Sequence, residues 1–129
     1  MNAQTTIDPV TENTRMTIEQ FHNAFNQHDV DAVMNLMTAD CVFENTYPPP
    51  DGSRCEGQAA VRAFWEELFH NSPHAHFAVE EVIAAADRGV LRWIYQWVDS
   101  AGKAGHIRGV DIFRVRAGKV AEKFSYVKG

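Results

Sequence analysis

Apolar residues recur three and four positions apart in the first half of this chain and every second position in much of the rest, so helices are expected to precede strands. Thr17 and Gln20 make a capping box ahead of Ile18, Phe21 and Phe25, which predicts an amphipathic helix from Thr17. Asp29 reads as the cap of a short second helix carrying Val30, Val33, Met34 and Met37. Val61, Phe64, Trp65, Leu68 and Phe69 form a broad stripe on a third helix, and a stripe of that width predicts burial against a sheet. From Phe77 onward, strand-like runs alternate with the turn signals DRG, SAGKAG and AGK, giving four antiparallel strands.

Between the second and third helices, CVFENTYPPPDG starts as a strand with Phe43, Asn45 and Tyr47 on one face. Pro48, Pro49 and Pro50 end it, because each lacks an amide N–H and holds φ near one value. They would make a stiff rim. In the last hairpin, Gly118 suits a three-residue loop that sets Val115 opposite Lys119 and Asp111 opposite Lys123. On that register Asp111, Phe113 and Val115 share a face with Ala121, Lys123 and Ser125. Helices followed by a meander of strands argue for an α+β fold, three helices on one face of a strongly curved antiparallel sheet. A single domain is expected over residues 16–129, behind a flexible polar tail over residues 1–15.

Composition narrows the function classes. With 45% hydrophobic and 22% charged residues in 129, the chain can bury one ordinary core. A net charge of -5 offers no basic field for phosphates, so neither nucleic acid nor an anionic membrane is an expected partner. The N-terminus lacks the charged start and apolar stretch of a signal peptide, and a cytoplasmic protein is expected. Cys41 and Cys55 flank the proline loop at a spacing that fits no zinc pattern; free thiols suit a reducing cytosol better than a bridge across the loop. No nucleophile motif, phosphate-cradling loop or dinucleotide fingerprint occurs, so no cofactor is expected.

The order of elements, with TADCVFEN, EGQAAVRAFW and RGVDIFRVRAGKVAEK, resembles the SnoaL-like branch of the NTF2-like superfamily. The resemblance implies a cone-shaped α+β barrel whose concave sheet face and helices enclose a pocket, and a convex face used for homodimers. Matched to the ketosteroid isomerases, the catalytic acid falls on Asp111, but the base falls on Asn45 and the tyrosine donor on Phe21. Matched to the limonene epoxide hydrolases, Asn45 and Arg92 agree, while the two acids fall on Ile94 and Ser125 and the tyrosine on Phe43. Both sets lose the groups that activate a proton or a water. The orientation that the resemblance implies puts Asn45, Tyr47, Arg92, Gln96, Asp111, Lys123 and Ser125 in the cavity. Phe21, Phe43, Trp65, Ile94 and Phe113 would be its apolar wall.

Asp111 has two physical alternatives: alone among apolar walls it would favour its neutral form and act as an acid, whereas beside Lys123 it would be ionised and paired. In the first functional reading Asp111 is an acid or proton shuttle tuned by Lys123, and Asn45, Tyr47 and Arg92 orient an oxygen of a mainly apolar small molecule. In the second, the same fold is a noncatalytic ligand-binding or dimerisation module. With Arg92 inside, Trp93, Tyr95 and Trp97 would lie outside beside Phe124 and Tyr126, which suggests a homodimer interface. His70, His74 and His76 lie close in sequence but lack the further ligands that zinc needs, and no metal is expected.

Overall fold

Asp8 accepts a hydrogen bond from the backbone N–H of Val10 (3.3 Å) and Pro9 fills the first helical position, where its missing N–H costs nothing. Helix α1 (Pro9–Asn26) therefore begins well before Thr17, whose hydroxyl instead donates to the carbonyl of Asn13 in mid-helix (2.8 Å). The computed structural model describes residues 8–129. Much of the expected tail is thus part of the fold. Thr14 is buried, and its hydroxyl donates to the carbonyl of Ala86 (2.6 Å), while the N–H of Ala86 donates to Thr11 Oγ1 (2.8 Å). The remainder of that tail, residues 1–7, lies outside the described residues.

Helix α2 (Val30–Asn35) has the expected Asp29 cap, which accepts from Ala32 N–H (3.1 Å). Met37, expected on that helix, opens strand β1 (Met37–Glu44) instead. After the proline loop come a short strand β2 (Arg54–Glu56) and helix α3 (Gln58–Asn71). Strands β3 (Phe77–Ala85), β4 (Arg88–Val98), β5 (Ala104–Arg116) and β6 (Lys119–Val127) complete the chain. They form one six-stranded sheet in the order β2-β1-β6-β5-β4-β3. The meander β3 to β6 is antiparallel as expected; β1 adds itself parallel to β6, bringing Phe43 beside Lys123. Irregular registers in β1, between Val79 and Glu81, and between Arg114 and Val115 bend the sheet around the helices.

The last hairpin turns on two residues rather than three. Ala117 and Gly118 both have positive φ (52° and 73°), the geometry of a tight turn whose twist matches the strands. Arg116 faces Lys119, and after the irregularity Asp111 faces Ser125 while Phe113 faces Lys123. Side chains alternate with a period of two, so this two-residue displacement keeps Asp111 and Lys123 on the same face.

Strand β4 departs from expectation more seriously. Leu91 pairs with Asp111, so Leu91, Trp93 and Tyr95 share the concave face, and Arg92, Ile94 and Gln96 look outward. Arg92 is exposed and bridges to Glu81 on β3 (3.1 Å). The β4–β5 register overrides the orientation that the resemblance implies. Of the aromatic patch expected outside, Trp93 is buried and Tyr95 packs on Phe77 and Trp97 along the concave face, where Trp97 stays exposed, and only Phe124 and Tyr126 remain on the convex side.

The core lies between the concave face and the helices. Phe21 meets Trp65 and Phe113 edge-on at ring separations of 5.7 Å, the arrangement that aromatic quadrupoles favour. Gln58 donates its amide toward the carbonyls of Met34, Met37 and Thr38, tying α3 to the α2–β1 junction.

Candidate functional site

A cavity of about 200 Å³ opens where the helices diverge from the concave sheet near the end of β1. Phe25, Phe43, Phe64, Leu68 and Phe77 form its apolar walls. Asp111, Lys123, Ser125, Trp93 and His22 give it polar groups on the inside, while Asn45, Thr46 and Tyr47 lie toward the proline loop.

The polar end is a closed network. Asp111 Oδ1 accepts from the hydroxyl of Ser125 (2.7 Å) and from the indole N–H of Trp93 (3.1 Å), and Oδ2 pairs with Lys123 Nζ (3.3 Å). Lys123 also donates to Ser125 Oγ (3.1 Å). Two hydrogen-bond donors and the Lys123 ammonium converge on one carboxyl, the paired arrangement of the two alternatives. The Lys123 ammonium lies 4.7 Å from the ring centre of Phe43 and 5.4 Å from that of Phe25, so aromatic faces replace part of its lost hydration. Trp93 can reach Asp111 because its cross-strand neighbour is Gly109: a β-carbon there would lie 2.4 Å from the indole.

His22 is the site residue the sequence reading missed. It is buried, stacks on Phe25, and places Nε2 at 2.6 Å from the carbonyl oxygen of Phe77. A carbonyl only accepts, so Nε2 carries the hydrogen and, in the neutral ring, Nδ1 carries the lone pair. Burial pushes its pKa below the ordinary histidine value; the Phe77 carbonyl and Asp111 oppose that shift, and Lys123 and His76 add to it. The signal was present, since Ile18, Phe21, His22 and Phe25 are spaced as a single helical stripe.

Asn45 lines the cavity, but its Oδ1 is already used: it accepts from the N–H (2.6 Å) and the hydroxyl (3.2 Å) of Ser53, closing the proline loop. Gly52 is required beneath it, because its φ is 70° and an added β-carbon would lie 1.9 Å from the Asn45 carbonyl oxygen. Tyr47 stands at the rim, 74% exposed. Phe21, Trp65 and Phe113, expected as wall, are fully buried behind it in the core. Arg92 and Gln96 are outside, and Phe25, Phe64, Leu68, Phe77 and Trp93 take the lining role that these were expected to share.

Burial raises the pKa of both Cys41 and Cys55, which are unbridged, so neither thiol is activated as a nucleophile. His70, His74 and His76 are exposed, and among the described residues no three His, Cys, Asp or Glu side chains converge on a metal site. No helix of the described residues is long and apolar enough to cross a membrane.

Comparison with known proteins bears on this geometry. The profile of the SnoaL-like domain family matches residues 18–123. A solved NTF2-like protein of unknown function from Mesorhizobium loti is 35% identical, with a TM-score of 0.79 over 96% of this chain and 98% of that one. A protein from Kribbella flavida, provisionally named a ketosteroid isomerase, is 18% identical, with a TM-score of 0.76 over 92% of this chain and 80% of that one. Another from Jannaschia sp. CCS1, provisionally named a SnoaL-like polyketide cyclase, is 17% identical, with a TM-score of 0.79 over 97% and 92%. The last two are similar in fold alone. No curated protein matches the chain.

Proposed function

The chain belongs to the SnoaL-like family of NTF2-like proteins, and on that premise we propose that its cone cavity binds a small, mainly apolar molecule of about one ring, with an oxygen turned toward Lys123 and Ser125. The observation that carries this reading is the lining: aromatic and aliphatic walls around a compact polar end, the composition of a small-molecule site. The size sets the scale of the ligand. A cavity of roughly 150 Å³ accommodates benzene, so a volume of about 200 Å³ suits one substituted ring rather than a fused polycycle.

Within this reading Asp111 holds Lys123 and Ser125 in place. Its Oδ1 accepts two hydrogen bonds and its Oδ2 pairs with Lys123, which disfavours the role of proton donor to the ligand. Of the two readings drawn from sequence, ligand binding is therefore the better supported, and Asn45 contributes through its amide N–H, its carbonyl being occupied.

The proposal extends to a homodimer and a cytoplasmic location. The dimer reading rests on a convex apolar row, Ile83, Val90, Ile112 and Phe124, neighbours across β3 to β6, flanked by the pairs Arg92–Glu81 and Arg108–Glu80. Two unbridged cysteines suit a reducing compartment.

Leu68→Trp tests the ligand reading. It should fill the cavity and abolish the thermal stabilisation that single-ring compounds give the wild type. Equal stabilisation of a folded Leu68→Trp protein would put the ligand elsewhere.

A further inference from the structure

The cavity wall contains a buried acceptor, Nδ1 of His22, that receives no hydrogen bond among the described residues. His22 Nε2–H is committed to the carbonyl of Phe77, which places the lone pair on Nδ1. Among the described residues no donor reaches Nδ1, and the atom is not sealed from solvent. His22 lines the cavity, and Nδ1 lies on the side of the ring that the Phe77 carbonyl does not engage. Of the neighbouring acceptors, Asn45 Oδ1 is taken by Ser53 and Asp111 Oδ1 by Trp93 and Ser125, while Asp111 Oδ2 faces the Lys123 ammonium.

An acceptor facing an apolar cavity loses its hydration if nothing donates to it. A ligand bearing a donor recovers that loss, and an apolar ligand of the same shape does not. The class of donor follows from the surroundings. An ammonium would be repelled by Lys123, and a carboxylate would present another acceptor to a lone pair. A neutral hydroxyl satisfies both constraints, and the rings of Phe25, Phe43, Phe64 and Phe77 favour a planar group behind it.

We infer that the cavity selects a phenolic or enolic hydroxyl, which donates to Nδ1 of His22 while its ring occupies the aromatic walls. This assignment rests on the reading of the cavity as a ligand site, and the two can fail separately. His22 acts as a specificity-determining residue, distinct from the Asp111–Lys123 pair.

The test uses phenol and toluene as probes, matched in shape and differing in the donor. In calorimetric titrations near neutral pH, His22→Phe should lower the phenol-to-toluene affinity ratio about tenfold, the worth of one hydrogen bond, with toluene affinity little changed. The variant keeps the Phe77 carbonyl satisfied, because Asn26 Nδ2 also donates to it (3.0 Å). In the wild type, nitrogen NMR of histidine-labelled protein should show the His22 Nδ1 signal moving on addition of phenol and not of toluene. An unchanged ratio in the folded variant, or an Nδ1 signal indifferent to phenol, overturns the assignment while toluene binding keeps the ligand site. If neither probe binds the wild type, both readings fall.

Discussion

At the scale of single residues, the Asp111–Lys123 pair illustrates why a buried ion pair is poor evidence of stability but strong evidence of constraint. Both side chains are nearly inaccessible, at 5% and 7% exposed, and each has lost its hydration. Removing one partner leaves the other charged and uncompensated, which typically costs about 3–5 kcal/mol, whereas replacing both with apolar groups is often neutral. Lys123→Met should therefore destabilise the protein by about that amount in chemical denaturation, and Asp111→Leu combined with Lys123→Met should recover most of the loss. A single variant as stable as the wild type would mean that the pair is not desolvated as described. His22 supplies a pH dependence of definite sign. Its folded pKa is lowered by burial, so below the ordinary histidine value the unfolded chain binds the proton more readily. Asp111, Lys123, His76 and the Phe77 carbonyl are the groups that act on it. Stability should be complete above about pH 6.5 and fall as the pH drops below it. Thermal melts of wild type and His22→Phe across that range should differ in slope, with the variant flatter.

At the scale of elements, β4 and β5 determine which side chains can meet. Gly109 lies under the indole of Trp93, and a β-carbon there would also come within 2.4 Å of the Tyr126 carbonyl oxygen. Gly109→Ala should push Trp93 off Asp111, costing about 1–3 kcal/mol as overpacking does, and alter the tryptophan fluorescence of the folded protein. An unaltered spectrum with unaltered stability would contradict the role given to this glycine. The same strands mark the limit of what the sequence made legible. The three helices, the four-strand meander, and the shared face of Asp111 and Lys123 were all readable, because helical stripes and strand alternation survive small errors in position. The start of α1 was missed although Asp8–Pro9 is a strong start signal, because the later Thr17–Gln20 pair competes with it. The orientation of β4 was not readable from alternation alone. Arg92, Ile94 and Gln96 interleave with Trp93 and Tyr95, and only pairing Leu91 with Asp111 decides which set is inside. His22 is not legible from the apolar stripe alone, because it is a polar residue buried among apolar ones.

At the scale of the whole molecule, the two faces of the sheet differ in what packs on them. The concave face and the helices enclose the cavity, and the proline loop, held by Asn45 and Ser53, borders its opening. The convex face retains Ile83 and Tyr126 at 53% exposure each, alongside the half-buried Val90, Ile112 and Phe124. An apolar row of this extent is expected to be covered by a second copy of the chain, so light scattering at micromolar concentration should give the mass of a dimer. A monomer under those conditions would remove the interface from the account. The cavity is the centre of that account, and its occupancy can be observed directly. A crystal exposed to 4-bromophenol should show anomalous bromine density among Phe43, Phe64, Leu68 and Phe77, with the hydroxyl toward His22 or Lys123. A well-ordered crystal that leaves this space free of bromine at saturating probe, or binds it only on the outer surface, would contradict the assignment of the cone cavity as a ligand site.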